Sequence, residues 1–202
     1  SVNPFNGEKY VLPNKIDDSI SINKFLEINK GKTFVVVQGL GFVGSVMSLV
    51  VAKNTKYAVI GIDLPTEESF WKIESINNGI FPVQADDPKI EDYFQNAIRN
   101  KNIYATFDDY VYSIADIIIV DINLDVDKTN HSNGDLLEFD VNLDGFKSAI
   151  NTIGNNCKED ALILVESTVP PGTCKKIVLP LINNCLKERN LAVNKIKIGH
   201  SY

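Results

Sequence analysis

Cysteine, methionine, tryptophan and histidine are all scarce in this chain, which has three, one, one and two of them in 202 residues. Three scattered cysteines, odd in number, exclude a disulfide framework and suit a reducing, cytoplasmic setting. The two histidines, His131 and His200, lack metal-ligand spacing, and no metal site is expected. Basic residues are also short, with 20 Lys and Arg against 26 Asp and Glu, a net charge of -6. That balance argues against a nucleic-acid groove. No apolar run approaches the ~18 residues of a membrane-spanning helix. The start, Ser1 to Gly7, carries neither the basic nor the apolar segment of a secretion signal. What is present, 44% hydrophobic and 23% charged residues, describes one globular domain with or without an appendage. A chain of this size buries ~70% of its unfolded surface and needs no staple.

Residues 1 to 30 are polar and rich in turn formers, until Ile20, Ile22, Phe25, Leu26 and Ile28 suggest a short amphipathic helix behind Asp17, Asp18 and Ser19. They are expected to form an extension packed on the surface of the main domain, which then occupies residues 31 to 202. From residue 31, short apolar runs alternate with helical periods. Strands are predicted at Phe34 to Val37, Tyr57 to Ile62, Ile103 to Ala105, Ile117 to Val120, Ala161 to Val165 and Ile196 to Ile198. Helices are predicted over residues 42 to 54, in two stretches between 67 and 101, from about Asp140 to Cys157, and from about Thr173 to Arg189. In the first of these, Val43, Val46, Met47, Val50 and Val51 mark the expected buried face. Residues 123 to 138 are expected to be a polar loop. Strict alternation of strand and helix implies an α/β fold of the Rossmann type, a doubly wound, mainly parallel sheet with helices on both faces.

Gly39-Leu40-Gly41-Phe42-Val43-Gly44 is G-x-G-x-x-G, placed between a buried strand and a helix as a dinucleotide diphosphate requires. Gly39 allows the tight turn, Gly41 leaves room for phosphate, and Gly44 allows close helix packing. The first-turn N-H groups at Phe42, Val43 and Gly44 would then meet the anion at the positive end of the helix. Asp63 stands 63 - 44 = 19 residues beyond the last glycine, at the end of the second strand. A carboxylate there accepts from the adenosine ribose and repels a 2'-phosphate, which favours NAD over NADP. A nucleoside-triphosphate loop is excluded because Ser45-Val46 follows Gly44 in place of Lys and Ser or Thr. A methyltransferase would not need the third glycine in this register.

Further segments follow in order: Gly61-Ile62-Asp63, Ile76-Asn77-Asn78-Gly79-Ile80-Phe81-Pro82, Ala105-Thr106-Phe107-Asp108, Ala115 to Val120, and Glu166-Ser167-Thr168-Val169-Pro170-Pro171-Gly172-Thr173. Together with the glycine loop they resemble the N-terminal, NAD-binding domain of the UDP-glucose/GDP-mannose dehydrogenase family of nucleotide-sugar 6-dehydrogenases. The resemblance covers residues 33 to 202. It implies oxidation of the C6 alcohol of a nucleotide sugar, a UDP-sugar in preference to GDP-mannose, to a carboxylate with two NAD, within polysaccharide biosynthesis. It also implies a supporting catalytic role for Thr168 beside the nicotinamide, and a homodimer for the full-length protein. Without it, residues 167 to 173 would be a turn with Thr173 as the helix N-cap.

The sequence departs from the family where Ile122-Asn123-Leu124-Asp125 replaces a Val-Pro-Thr-Pro segment, which brings Asp121, Asp125 and Asp127 towards the dinucleotide. The family's Gly-Gly-x-Cys nucleophile has no counterpart here. Cys157 and Cys185 are expected to be structural; Cys174 stands in the first turn of a helix, a position that acidifies a thiol, but nothing in the sequence places a base beside it and no nucleophilic role is expected. The abrupt end after Gly199-His200-Ser201-Tyr202 reads as a cut, so the chain is expected to bind NAD without turning over. The alternative from the residues alone is a stand-alone NAD-binding sensor or regulatory module.

Overall fold

The computed structural model describes residues 1–124, 126–130 and 136–201, with the backbone alone described for 126–130 and 136–140. The strands are β1 (Thr33–Gln38), β2 (Tyr57–Ile62), β3 (Ile103–Thr106), β4 (Ile117–Val120), β5 (Val126–Asn130), β6 (Leu136–Val141), β7 (Leu162–Val165) and β8 (Lys197–His200). The helices are α1 (Ser19–Ile28), α2 (Phe42–Ala52), α3 (Phe70–Asn77), α4 (Pro88–Asn100), α5 (Asp144–Asn156) and α6 (Leu179–Glu188). Six strands form one parallel sheet in the order β3-β2-β1-β4-β7-β8. The chain winds outward from β1 in one direction and from β4 in the other, so the switch point lies between those two strands. Expected and observed fold class agree. The segment expected to be a polar loop instead contains the antiparallel pair of β5 and β6.

The central strands of the six-stranded sheet alternate their side chains between two cores. Val35, Val37 and Val59 face α2, α3 and α4, where Leu49, Phe70, Ile73 and Phe94 are buried. Val36, Ala58, Ile60, Ile118 and Val120 face the other side, against Phe146 and Ile150 of α5 and Ile182 and Leu186 of α6. Burial on both faces explains the continuous β-branched runs. Local signals fix the helix ends where they are strong. In α4, Asp87 caps the Lys89 N-H at 3.0 Å, Pro88 opens the first turn, and Lys101 closes it in the left-handed region at φ 52°.

The connection from β3 to β4 contains only a 3-10 turn (Asp109–Ser113), and α1 covers the β2 and β3 side of that face. Ile22 is fully buried, and Phe25 stacks on Tyr104 of β3 at 5.7 Å between ring centres. Asp18, just ahead of α1, accepts from Tyr104 Oη and Thr106 Oγ1, both at 2.7 Å. Residues before it are pinned to α3: Ser1 Oγ accepts the Trp71 N-H, Phe5 meets the Trp71 ring edge-on, and buried Asn3 donates to Ser75. Of the first thirty residues, Ile22 and Phe25 therefore join the domain's core, while Val11, Ile16 and Ile20 stay exposed.

The helix α2 packs Met47 and Val51 of the expected face against the core, but its most buried face is displaced from the one its valines mark. Gly44, Ser45, Ser48, Leu49 and Ala52 are buried, whereas Val43 and Val50 are about half exposed, at 52% and 54%. Small residues let the helix lie close to the sheet. The serine hydroxyls lose no hydrogen bonds by burial, because Ser45 donates to Leu40 O at 3.1 Å and Ser48 to Gly44 O at 2.8 Å.

Candidate functional site

The glycine loop leaves β1 at the switch point and is tied to both neighbouring strands: the Gly39 N-H donates to Ile62 O and the Asp121 N-H to Gln38 O, each at 2.9 Å. Gly39 has φ +96°, and a Cβ there would stand 2.1 Å from the Asp121 carbonyl oxygen. A Cβ on Gly44 would stand 1.9 Å from the Gly39 carbonyl oxygen. These two glycines are required by the fold itself. Gly41 differs from both. Its φ is an ordinary -68°, and a Cβ there would meet nothing within 4 Å. The space beside it belongs to the crevice.

That crevice has two halves of about 500 and 530 Å³, which share Gly41, Asp121, Ile122 and Asn123 and so meet over the glycine loop. Each lies in the range of ligand sites. The first half runs past Gly39 to Asp63, Leu64, Lys72 and Tyr112, and is closed by Ser148 and Thr152 of α5. Asp63 is held from three sides. Its Oδ2 accepts from the Leu40 N-H at 3.1 Å and the Lys72 ammonium at 3.0 Å, and its Oδ1 accepts from the Leu64 N-H at 2.8 Å. The carboxylate does cap the turn that follows it, but it also fixes the glycine loop. Lys72 was not apparent from the sequence, where it is one lysine in an otherwise apolar stretch of α3.

The second half is lined by Phe42, Val43, Asp121, Glu166 and Thr168. Thr168 is exposed there, just past the end of β7. Its neighbour Ser167 is buried, and the Ser167 Oγ accepts the Ile122 N-H at 2.7 Å, which ties the ends of β4 and β7 together. Thr173 is no N-cap: it is already helical, and its hydroxyl donates back to Pro170 O at 2.7 Å, closing the Pro-Pro-Gly turn. Asp121 reaches the first turn of α2, where its Oδ2 lies near the Gly44 N-H, 3.0 Å from the position a Gly44 Cβ would take. Burial, then the charge of Glu166, push its carboxyl above the usual carboxylate range, partly opposed by that N-H. Asp125, the Asp127 side chain and His131 lie outside the described residues.

Sequence position suggested an acidified thiol at Cys174. The structure reverses this, because partial burial raises the Cys174 thiol above its ordinary value. Burial likewise raises Cys157 and Cys185. Cys157 lies fully buried beneath Arg189, which donates to the Gly154 and Cys157 carbonyls at 2.8 Å. Among the described residues no thiol is prepared for nucleophilic attack.

Comparison with known proteins agrees with this geometry. The profile of the UDP-glucose/GDP-mannose dehydrogenase family, NAD binding domain, matches residues 33–201. A GDP-mannose 6-dehydrogenase of Pseudomonas syringae pv. syringae is 31% identical over 156 residues, which cover 75% of this chain and 32% of that protein. A UDP-N-acetyl-D-mannosamine dehydrogenase of Pyrococcus horikoshii is 28% identical over 151 residues, 74% of this chain and 32% of the relative. The crystal structure of a GDP-mannose dehydrogenase ternary complex from Pseudomonas aeruginosa superposes with a TM-score of 0.62 at 26% identity, over 82% of this chain and 35% of that one. The chain thus spans about a third of the length of the curated relatives it matches. No helix among the described residues is long and apolar enough to cross a membrane.

Proposed function

Since the chain belongs to the UDP-glucose/GDP-mannose dehydrogenase family, as its NAD-binding domain, we propose that it holds the cofactor of a nucleotide-sugar 6-dehydrogenase that carries a C6 alcohol to the carboxylate. When bound, NAD supplies the hydride acceptor, two being used for each alcohol oxidised. The reading is carried by one observation: Gly41, the single glycine of the loop that the fold does not need, lines both halves of the crevice. The diphosphate would cross there, meeting the N-H groups of Phe42 and Val43. The adenosine ribose would lie towards Asp63, and the nicotinamide towards Thr168. Thr168 would orient the reacting groups with its hydroxyl, and Ser167 would hold the edge of the pocket in place.

A UDP-linked sugar is the substrate class we propose for the whole protein. GDP-mannose is the alternative, favoured by the Pseudomonas syringae relative. The raised thiols support a further element of the reading, that the 202-residue chain binds NAD without turning over by itself. The test is calorimetry on Gly41→Val. The substitution leaves the melting temperature unchanged because it fills only the crevice, and it abolishes NAD binding. Normal affinity in that variant would sink the diphosphate assignment. In the whole protein, Thr168→Ala lowers kcat by about 10²-fold at a smaller cost in NAD affinity. Turnover with UDP-sugars against GDP-mannose decides the substrate class.

A further inference from the structure

Resting on the dinucleotide placement proposed above, we infer that Asp121 binds the diphosphate as a neutral acid, its carboxylate taking up one proton from solvent as NAD binds and then donating to a phosphate oxygen. The helix α2 begins without a side-chain cap, because its N-cap is Gly41. Asp121, just past the end of β4, reaches this turn, and its Oδ2 lies 3.0 Å from where a Gly44 Cβ would stand. A carboxylate therefore already sits at the end of the helix that attracts anions. It lines both halves of the crevice, so a diphosphate crossing Gly41 passes beside it.

The surrounding charges do not relieve this conflict. Glu166 faces Asp121 from the end of β7, and Asp63 and Asp109 line the other half. Of the cations among the described residues, only Lys72 lines the crevice, and it is bound to Asp63. β1, α2, α5 and the stretch after β4 contribute Gln38, Phe42, Val43, Ser148, Thr152 and Asn123, none of them charged at neutral pH. Two anions in contact within a half-buried crevice repel strongly. Protonation of Asp121 removes the repulsion and converts the group into a donor. Burial and Glu166 already hold its carboxyl above the ordinary range, which makes that proton easy to acquire.

Calorimetry of the 202-residue chain with NAD, from pH 6 to 8.5 in the presence of a chelator, tests this. A group whose pKa rises on binding makes binding tighter as pH falls. The Kd should therefore rise by up to about tenfold per pH unit above the free-state pKa of Asp121. Repeating the titration in buffers of different ionisation enthalpy should report uptake of up to one proton. Asp121→Asn keeps the size of the side chain without its charge; it should bind NAD more tightly at pH 8, without pH dependence or proton uptake. Glu166→Gln should retain the uptake and move its window to lower pH. A flat pH profile in the unsubstituted chain, uptake that persists in Asp121→Asn, or an affinity that follows added magnesium in place of pH would overturn the inference. Absence of NAD binding at every pH would overturn the cofactor placement itself, and this inference with it.

Discussion

The Lys72 ammonium lies 3.0 Å from the Asp63 carboxylate, in the half of the crevice that Thr168 does not line. Both side chains are mostly shielded, at 20% and 12% exposure, so the pair is not screened as a surface ion pair would be. Lys72→Met should cost about 1–3 kcal/mol in urea unfolding, since it leaves a charged group with fewer partners. Asp63→Arg should weaken NAD and shift preference towards NADP. An unchanged ratio of the two affinities would remove Asp63 from the ribose.

The three loop glycines should separate by phenotype. Gly39→Ala and Gly44→Ala place a methyl group about 2 Å from backbone oxygens and should each cost about 3 kcal/mol, with loss of soluble protein the extreme case. Gly41→Val should leave stability untouched. Equal melting temperatures across all three variants would show that the close approaches to Gly39 and Gly44 are not constraints.

The N-terminal helix should behave as core. Ile22→Ala should lower stability by about 3 kcal/mol, as measured by denaturant unfolding, because the side chain is fully buried against the sheet. A chain that begins at residue 31 should expose the face over β2 and β3 and bind hydrophobic dyes. A truncated protein that melted at the same temperature as the parent would refute this.

The thiols should be unreactive near neutrality. Burial raises all three above the ordinary value, so the reactive thiolate is depleted at pH 7.5 and grows only as pH rises through the raised pKa. Iodoacetamide, followed by mass spectrometry, should label Cys174 more slowly than a free thiol and Cys157 only on unfolding. Labelling of Cys174 faster than free cysteine would refute this.

Much of the candidate site's framework was legible because its signals are local. A buried strand is a β-branched run, as in Phe34 to Val37. The glycine loop joins a strand to a helix, and Asp63 follows at the end of the next strand. Features that depend on contact across the chain were not legible. The valines of α2 suggested one buried face, but close packing selected the small residues at 44, 45, 48 and 52. Lys72 shows no sign of a role in the sequence, which places Asp121 near the dinucleotide without revealing its approach to Gly44. Only folding brings Lys72 to Asp63, nine residues earlier in the chain, and Asp121 to Gly44, on a different element.

The sequence by itself determined a parallel α/β sheet with a dinucleotide loop at its switch point, since alternating apolar periods and glycine spacing act over a few residues. Tertiary structure decided which face of α2 is most buried, that α1 joins the core through Ile22 and Phe25, and that the Asp121 carboxylate beyond β4 stands beside the first turn of α2. The physical reason is the same in each case: burial, capping and charge coupling depend on distances between segments far apart in the chain, which local pattern does not encode.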